Sequence, residues 1–104
     1  MSMPRPFAVA LALSSFVAAA PALAAPDGAK VYNQNCAMCH NAGLAKSPKF
    51  GDKEAWEPRV ATGQPALLHS VLNGKGAMPP KGGNGKLTEE EVAAALSHIL
   101  AAVQ

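Results

Sequence analysis

Cys36, Cys39 and His40 stand together in the segment Cys36-Ala37-Met38-Cys39-His40. Two thiols three positions apart lie about one helical turn from each other. At that spacing both can add to the two vinyl groups of one porphyrin. The next residue, His40, can then bind its iron through an imidazole nitrogen. C-x-x-C-H is accordingly the attachment signal for a c-type haem. C-x-x-C alone also serves zinc sites and redox-active dithiols. The appended His40, in a chain with two cysteines, favours the haem. A thiol-disulfide enzyme would want a thioredoxin-like βαβ pattern, and the sequence has none.

A haem held by one histidine has a sixth position on iron, and its occupant decides the chemistry. The candidates are Met78, His69, His98, water or a small ligand. Met38 lies inside the attachment turn and cannot reach the far face. Met1 and Met3 belong to the N-terminal leader described below. Met78 stands 38 positions after His40, far enough for the chain to wrap around the ring. It sits in a loop rather than on an apolar helical stripe. Pro79 and Pro80 restrict the backbone after it, which holds the sulfur at little ordering cost. A thioether ligand raises the potential relative to a second histidine. The plainer role for Met78 is to fill a gap under a loop. His69 reads as a solvated helix residue, and His98 as a packing or hydrogen-bonding one.

Trp56 and Arg59 are three apart on one helical face. Trp56 is expected either to cover a haem edge and donate its indole N–H there, or to anchor the core. Arg59 is expected either to pair with a propionate or to stand in solvent. Lys46, Lys49 and Lys53 flank the haem turn, and Lys75, Lys81 and Lys86 flank the Met78 loop. Around an exposed haem edge they would steer acidic partners; otherwise they are solvated loop charges.

Four helices would have to position these groups. Asp27 can cap a first helix from Gly28 to about Ala37, with Val31 and Tyr32 on the face of Cys36. Gly28 is a poor helix former and would make sense where another helix crosses closely. Asp52 can cap a second from Lys53 to about Thr62, with Pro58 awkward inside it. Gln64-Pro65 opens a third, with Leu68, Val71 and Leu72 as its apolar face and Gly74 as its end. Gly74 to Gly85 holds five glycines and Pro79-Pro80, which is not the composition of a regular element. Thr88 and Glu91 form a capping box for a fourth helix, with Val92, Leu96, Ile99, Leu100 and Val103 in one stripe. No strand pattern stands out, so the class is all-α.

The first 24 residues read as a secretory signal peptide. Arg5 supplies the positive start, Phe7 to Ala20 an uncharged apolar run, and Ala22-Leu23-Ala24 a small-x-small cleavage site after Pro21. The run is short for a membrane span, which needs about 20 residues; an uncleaved anchor is the alternative. Residues 25–104 then form one domain of 80 residues. That is small for a self-sufficient core, and Trp56, Tyr32 and Phe50 are its only aromatics. A covalent haem would supply the missing apolar mass. The formal charge of +2 becomes +1 without Arg5, which is not a nucleic-acid-binding balance. Phosphate-binding glycine motifs are absent.

Taken together, G-A-K-V-Y at 28–32, C-A-M-C-H at 36–40, G-D-K-E-A-W-E-P-R at 51–59, N-G-K-G-A-M-P-P-K-G-G at 73–83 and L-T-E-E-E-V at 87–92 resemble class I c-type cytochromes. The resemblance is greatest to the bacterial cytochrome c5 kind and spans residues 25–104. It implies a small helical fold around one covalent haem c, thioether links at Cys36 and Cys39, and axial iron ligands at His40 and Met78. It also implies a periplasmic one-electron carrier; redox proteins of the oxidase, reductase or membrane-complex kind are the expected partners, and a monomer is the expected state. Many such proteins have a second cysteine pair near the last loop; here Asn84 stands in that region and no cysteine remains for a disulfide. An aromatic residue is usual near position 98, where this chain has His98.

Three functions remain to be separated. An electron carrier keeps both axial positions filled and turns over no substrate. A haem-based sensor or peroxidase-like protein has a labile sixth ligand, though no clear distal acid-base pair is visible. A non-haem dithiol protein would hold no haem after denaturation.

Overall fold

The computed structural model describes residues 2–8, 10–15 and 25–104. The expected cleavage site at Ala22-Leu23-Ala24, with Pro21, lies outside the described residues. Residues 2–8 and 10–15 carry neither helix nor strand and expose Met3, Phe7, Leu11 and Leu13. Among the described residues no helix is long and apolar enough to cross a membrane.

Residues 25–104 are helical: α1 (Gly28–Asn35), α2 (Ala37–His40), α3 (Lys53–Val60), α4 (Gln64–Asn73) and α5 (Glu89–Ala101). Short 3-10 turns at Leu44–Lys46 and Pro80–Gly83 lie in the connecting loops. Side-chain caps start three of the helices. Asp27 accepts from the Lys30 amide and Asp52 from the Ala55 amide, each at 3.2 Å. Thr88 and Glu91 cap α5 reciprocally: the Thr88 hydroxyl takes the Glu91 amide and the Glu91 carboxylate takes the Thr88 amide.

Two helices depart from the sequence pattern. The expected first helix, Gly28 to Ala37, divides at Cys36, whose φ of −119° opens the backbone and starts the separate turn α2. The Cys36 amide still bonds to the Tyr32 carbonyl at 2.8 Å and closes α1, and Asn35 bonds its side-chain amide to the Val31 carbonyl at 2.9 Å within that last turn. α3 stops at Val60, short of Thr62, because the Thr62 and Gly63 amides bond three residues back, to the Arg59 and Val60 carbonyls, while Ala61 keeps the last helical bond, to Glu57. Pro58 is nevertheless accommodated. It leaves the Glu54 carbonyl without its helical donor, and Glu54 is exposed to water.

α1 and α5 form the main helix crossing. A Cβ on Gly28 would lie 2.2 Å from the Ala94 carbonyl oxygen, so only glycine allows the backbones this close. Around the crossing lie the buried Val31 and Tyr32 of α1 and Val92, Ala95, Leu96, Ile99 and Leu100 of α5. Each of the larger aliphatic side chains contributes about 1.5–3 kcal/mol by leaving water. α4 is different. It has no fully buried residue, although Leu67, Leu68, Val71 and Leu72 pack at the edge of the core. Its half-buried face borders a cavity, the feature around which the remaining elements are arranged.

Candidate haem site

The cavity measures about 280 Å³ and opens between α4, α5 and the loops on either side of them. Its walls are apolar: Val31 from α1, Leu67 and Val71 from α4, and Val92, Leu96 and Ile99 from α5. Cys36, His40, Trp56, Arg59 and Met78 also line it. Five of the six residues singled out from the sequence therefore meet at one site. Cys39 is the sixth; it is exposed and lies beside the cavity in the chain without lining it.

His40 is fixed more firmly than any other candidate ligand. Its side chain is 9% exposed. Nδ1 lies 2.9 Å from the Pro48 carbonyl, which can only accept, so the proton belongs on Nδ1 and Nε2 keeps its lone pair for a metal. The Phe50 amide donates to the His40 carbonyl at 2.8 Å. Thus the loop after α2 returns to hold both the ring and the backbone of the residue that begins it. Burial pushes the Cys36 thiol above its ordinary range and favours the uncharged S–H before any haem is attached.

Met78 arrives on a loop that is more regular than its composition suggests. Lys75 and Met78 form an antiparallel bridge, each amide donating to the other's carbonyl at 3.0 Å. Gly74 enters the turn at φ +85°, and a Cβ there would meet the Met78 carbonyl oxygen at 2.9 Å. Below it, Asn84 donates to Asn35 Oδ1 at 2.9 Å and ties the loop to the end of α1. The Lys81 ammonium donates to the Leu87 carbonyl at 2.8 Å.

Trp56 sits in the core, one of its two expected places, and Arg59 lies at the cavity wall. Trp56 is 5% exposed, and its ring centroid lies 5.9 Å from that of His40. Its indole N–H donates to the Lys49 carbonyl at 2.8 Å. A tryptophan has one donor, so this one is committed to the backbone rather than to a haem edge. Arg59 is half-buried at the cavity wall and gives one guanidinium N–H to the Ala55 carbonyl; four of its five donors remain. Among the lysines, Lys46 and Lys75 border the cavity, and Lys49 and Lys86 are exposed away from it. Lys81 also borders it, its ammonium held against the Leu87 carbonyl, which fixes the position of the charge without neutralising it. His69 is exposed beside Asn73, and His98 packs between Tyr32 and Phe50; neither lines the cavity.

Leu67 was absent from the apolar face read from the sequence. It lies four residues before Val71, the spacing by which it could have been found. Its partner in the cavity is the apolar space itself, which explains why α4 buries nothing completely. An apolar disc with polar edges fits such a lining, with a thiol and an imidazole at one wall, a thioether at another and an arginine at the side. Among the described residues no three His, Cys, Asp or Glu side chains gather to hold a bare metal ion.

A family described as cytochrome C oxidase, cbb3-type, subunit III matches residues 23–99. Cytochrome c-555 of Chlorobaculum tepidum is 42% identical over 80 residues, covering 73% of this chain and 74% of that protein. Cytochrome c5 of Azotobacter vinelandii is 39% identical over 77 residues, covering 72% and 93% respectively. A chain from the crystal structure of an electron transfer complex of nitrite reductase with cytochrome c superposes with a TM-score of 0.72 at 47% identity, covering 76% of this chain and 96% of its own length. The chain belongs to the small class I c-type cytochromes. Its fold is their all-α fold, its cofactor is covalently bound haem c, and it is an electron carrier.

Proposed function

We propose that residues 25–104 form an exported, periplasmic one-electron carrier, with residues 1–24 removed as a signal peptide. Cys36 and Cys39 hold the haem by thioether bonds. His40 and Met78 are its axial ligands. The observation that carries this reading is that His40, with Nε2 free, and Met78 line one apolar cavity. The haem supplies an iron that exchanges one electron between its ferrous and ferric forms.

The protein's own contribution is to position, shield and orient. Pro48 keeps the proton of His40 on Nδ1. Val31, Leu67, Val71 and Leu96 exclude water from the cavity. The Lys75–Met78 bridge and Pro79 set the backbone that presents the thioether. With both axial positions filled, no position is left for substrate, and the protein is not an enzyme. Arg59 pairs with a propionate, for which it has donors to spare.

Lys46 and Lys75, at the border of the cavity, favour acidic redox proteins as partners. One structural relative is a cytochrome c in an electron transfer complex with nitrite reductase, which supports a protein partner of the oxidase, reductase or membrane-complex kind. The carrier acts as a monomer and binds no nucleic acid.

The test is a visible spectrum of the protein produced through export and haem attachment, recorded oxidised, reduced, and reduced with carbon monoxide. A low-spin spectrum unchanged by carbon monoxide is expected. A prompt shift with carbon monoxide would mean an open sixth position and would replace the carrier with a sensor or peroxidase-like reading.

A further inference from the structure

Pro48, Lys49 and Phe50 are held from three sides. The Pro48 carbonyl accepts from His40 Nδ1 at 2.9 Å, and the Lys49 carbonyl accepts from Trp56 Nε1 at 2.8 Å. The Phe50 amide donates to the His40 carbonyl at 2.8 Å. The Phe50 ring stacks on His98 with centroids 5.2 Å apart and planes at 26°. Three consecutive residues therefore join α2, α3 and α5.

The peptide unit between Lys49 and Phe50 is planar and rigid. Trp56 holds its C=O and His40 holds its N–H, so its orientation is fixed at both ends. Only the φ and ψ of Lys49 separate it from the peptide unit that carries the Pro48 carbonyl. The direction of that carbonyl, and with it the bond to His40 Nδ1, follows from the restraint on its neighbour. We propose that Trp56 and His98 are positioning residues for His40. Trp56 acts by fixing the Lys49 carbonyl, and His98 by stacking on Phe50. The proposal rests on His40 being an iron ligand, as read above.

The consequence is electronic as well as geometric. A bond from Nδ1–H to a carbonyl raises the basicity of the other ring nitrogen. A more basic ligand favours ferric iron. Loosening the strap weakens the bond and moves the equilibrium toward the reduced form.

The experiment uses the haem-loaded protein and two readouts: exchange of the His40 Nδ1 proton by NMR in the reduced state, and the midpoint potential. Trp56→Phe keeps an aromatic body and removes the N–H. It is expected to speed proton exchange about tenfold and to shift the redox equilibrium three- to tenfold toward ferrous, tenfold being about 59 mV for one electron. His98→Ala is expected to act in the same direction with a smaller effect, and His98→Phe to restore the stack and the wild-type values. Variants that keep the low-spin spectrum and exchange the proton at the wild-type rate would overturn the proposal. If Trp56→Phe does not fold, the His98 pair decides alone. A wild-type spectrum that opens to carbon monoxide would remove Met78 and the carrier reading but leave the exchange test intact, so the two failures are distinguishable.

Discussion

His40 and Met78 line the same cavity, yet the chain secures them by different means. The imidazole is tied through its own Nδ1 to Pro48, beside a buried Trp56 and under a loop that returns to its backbone. Met78 is restrained through its main chain: the bridge to Lys75, the glycine at position 74, and the prolines that follow. The histidine side resists change in side-chain orientation. The methionine side depends on one backbone conformation, which local strain or the loss of a remote tie can release. Ligand exchange should therefore begin on the methionine side.

The largest test of this asymmetry is Met78→Leu. On the proposed ligation it keeps an apolar side chain of similar size and removes the sulfur. The reduced protein is then expected to bind carbon monoxide within the mixing time, while His40 continues to hold the iron. A carbon monoxide response equal to that of the wild type would take Met78 out of the ligand set.

Gly74→Ala approaches the same side through the backbone. Gly74 has φ +85° and ψ +157°, a region that is essentially glycine-only. Forcing alanine into it costs about 1–3 kcal/mol. The added Cβ would also press on the Met78 carbonyl oxygen at 2.9 Å and the Pro80 nitrogen at 3.1 Å. Lower thermal stability is expected together with faster displacement of Met78 by carbon monoxide or imidazole. Loss of stability without faster displacement would mean that the turn serves folding alone.

Asn84→Ala is a smaller perturbation in the same direction. It removes the bond to Asn35 and the bond from the Lys86 amide to Asn84 Oδ1. The cost is about 1 kcal/mol. Native-state hydrogen exchange is expected to rise at the Lys75 and Met78 amides and to stay unchanged at Phe50, whose amide is held by His40. An equal rise at all three would merge the two sides into one cooperative unit. Asn84 thus ties the Met78 loop to the end of α1 without a covalent bond.

How much of this was legible in the sequence depended on the range of the interaction. The caps at Asp27, Asp52 and Thr88 are local, and each appears where a short polar side chain precedes a helix. Gly28 could be read as a crossing point because few other reasons put glycine at the first turn of a helix. C-x-x-C-H marked the histidine side because its chemistry is fixed by spacing. The division at Cys36 was not legible, since no proline or glycine marks it in the sequence. Nor was the partner of Trp56. A backbone carbonyl is the same at every position, so nothing in the residue at 49 announces that its oxygen will accept the indole. Lys81 is a similar case: a lysine among glycines reads as solvated, and only the return of the chain at Leu87 gives its ammonium an internal acceptor.

Tyr32 offers the smallest and most selective test, because it belongs to the histidine side alone. Its hydroxyl donates to Asn41 Oδ1, next in sequence to His40, while its ring lies 4.9 Å from Phe50 and 5.4 Å from His98. Burial pushes the Tyr32 phenol above its ordinary value of 10.0, with a further push from the charge of the Cys36 thiolate while that residue carries no haem. The raised value means that the folded chain keeps the phenolic proton more tightly than the unfolded chain. The associated stability is complete below pH 10.0 and is lost as pH rises through the folded-state value. Once Cys36 is a thioether, burial alone remains as the cause. Tyr32→Phe leaves the packing in place and deletes the hydrogen bond, at a cost of about 1 kcal/mol near neutral pH. The variant is expected to lose the part of the alkaline destabilisation above pH 10 that belongs to Tyr32, measured by denaturant titration across that range. It should leave the carbon monoxide response untouched, because no part of the methionine turn rests on it. A variant that bound carbon monoxide faster would show that the two sides communicate through α1, and the division between them would fail.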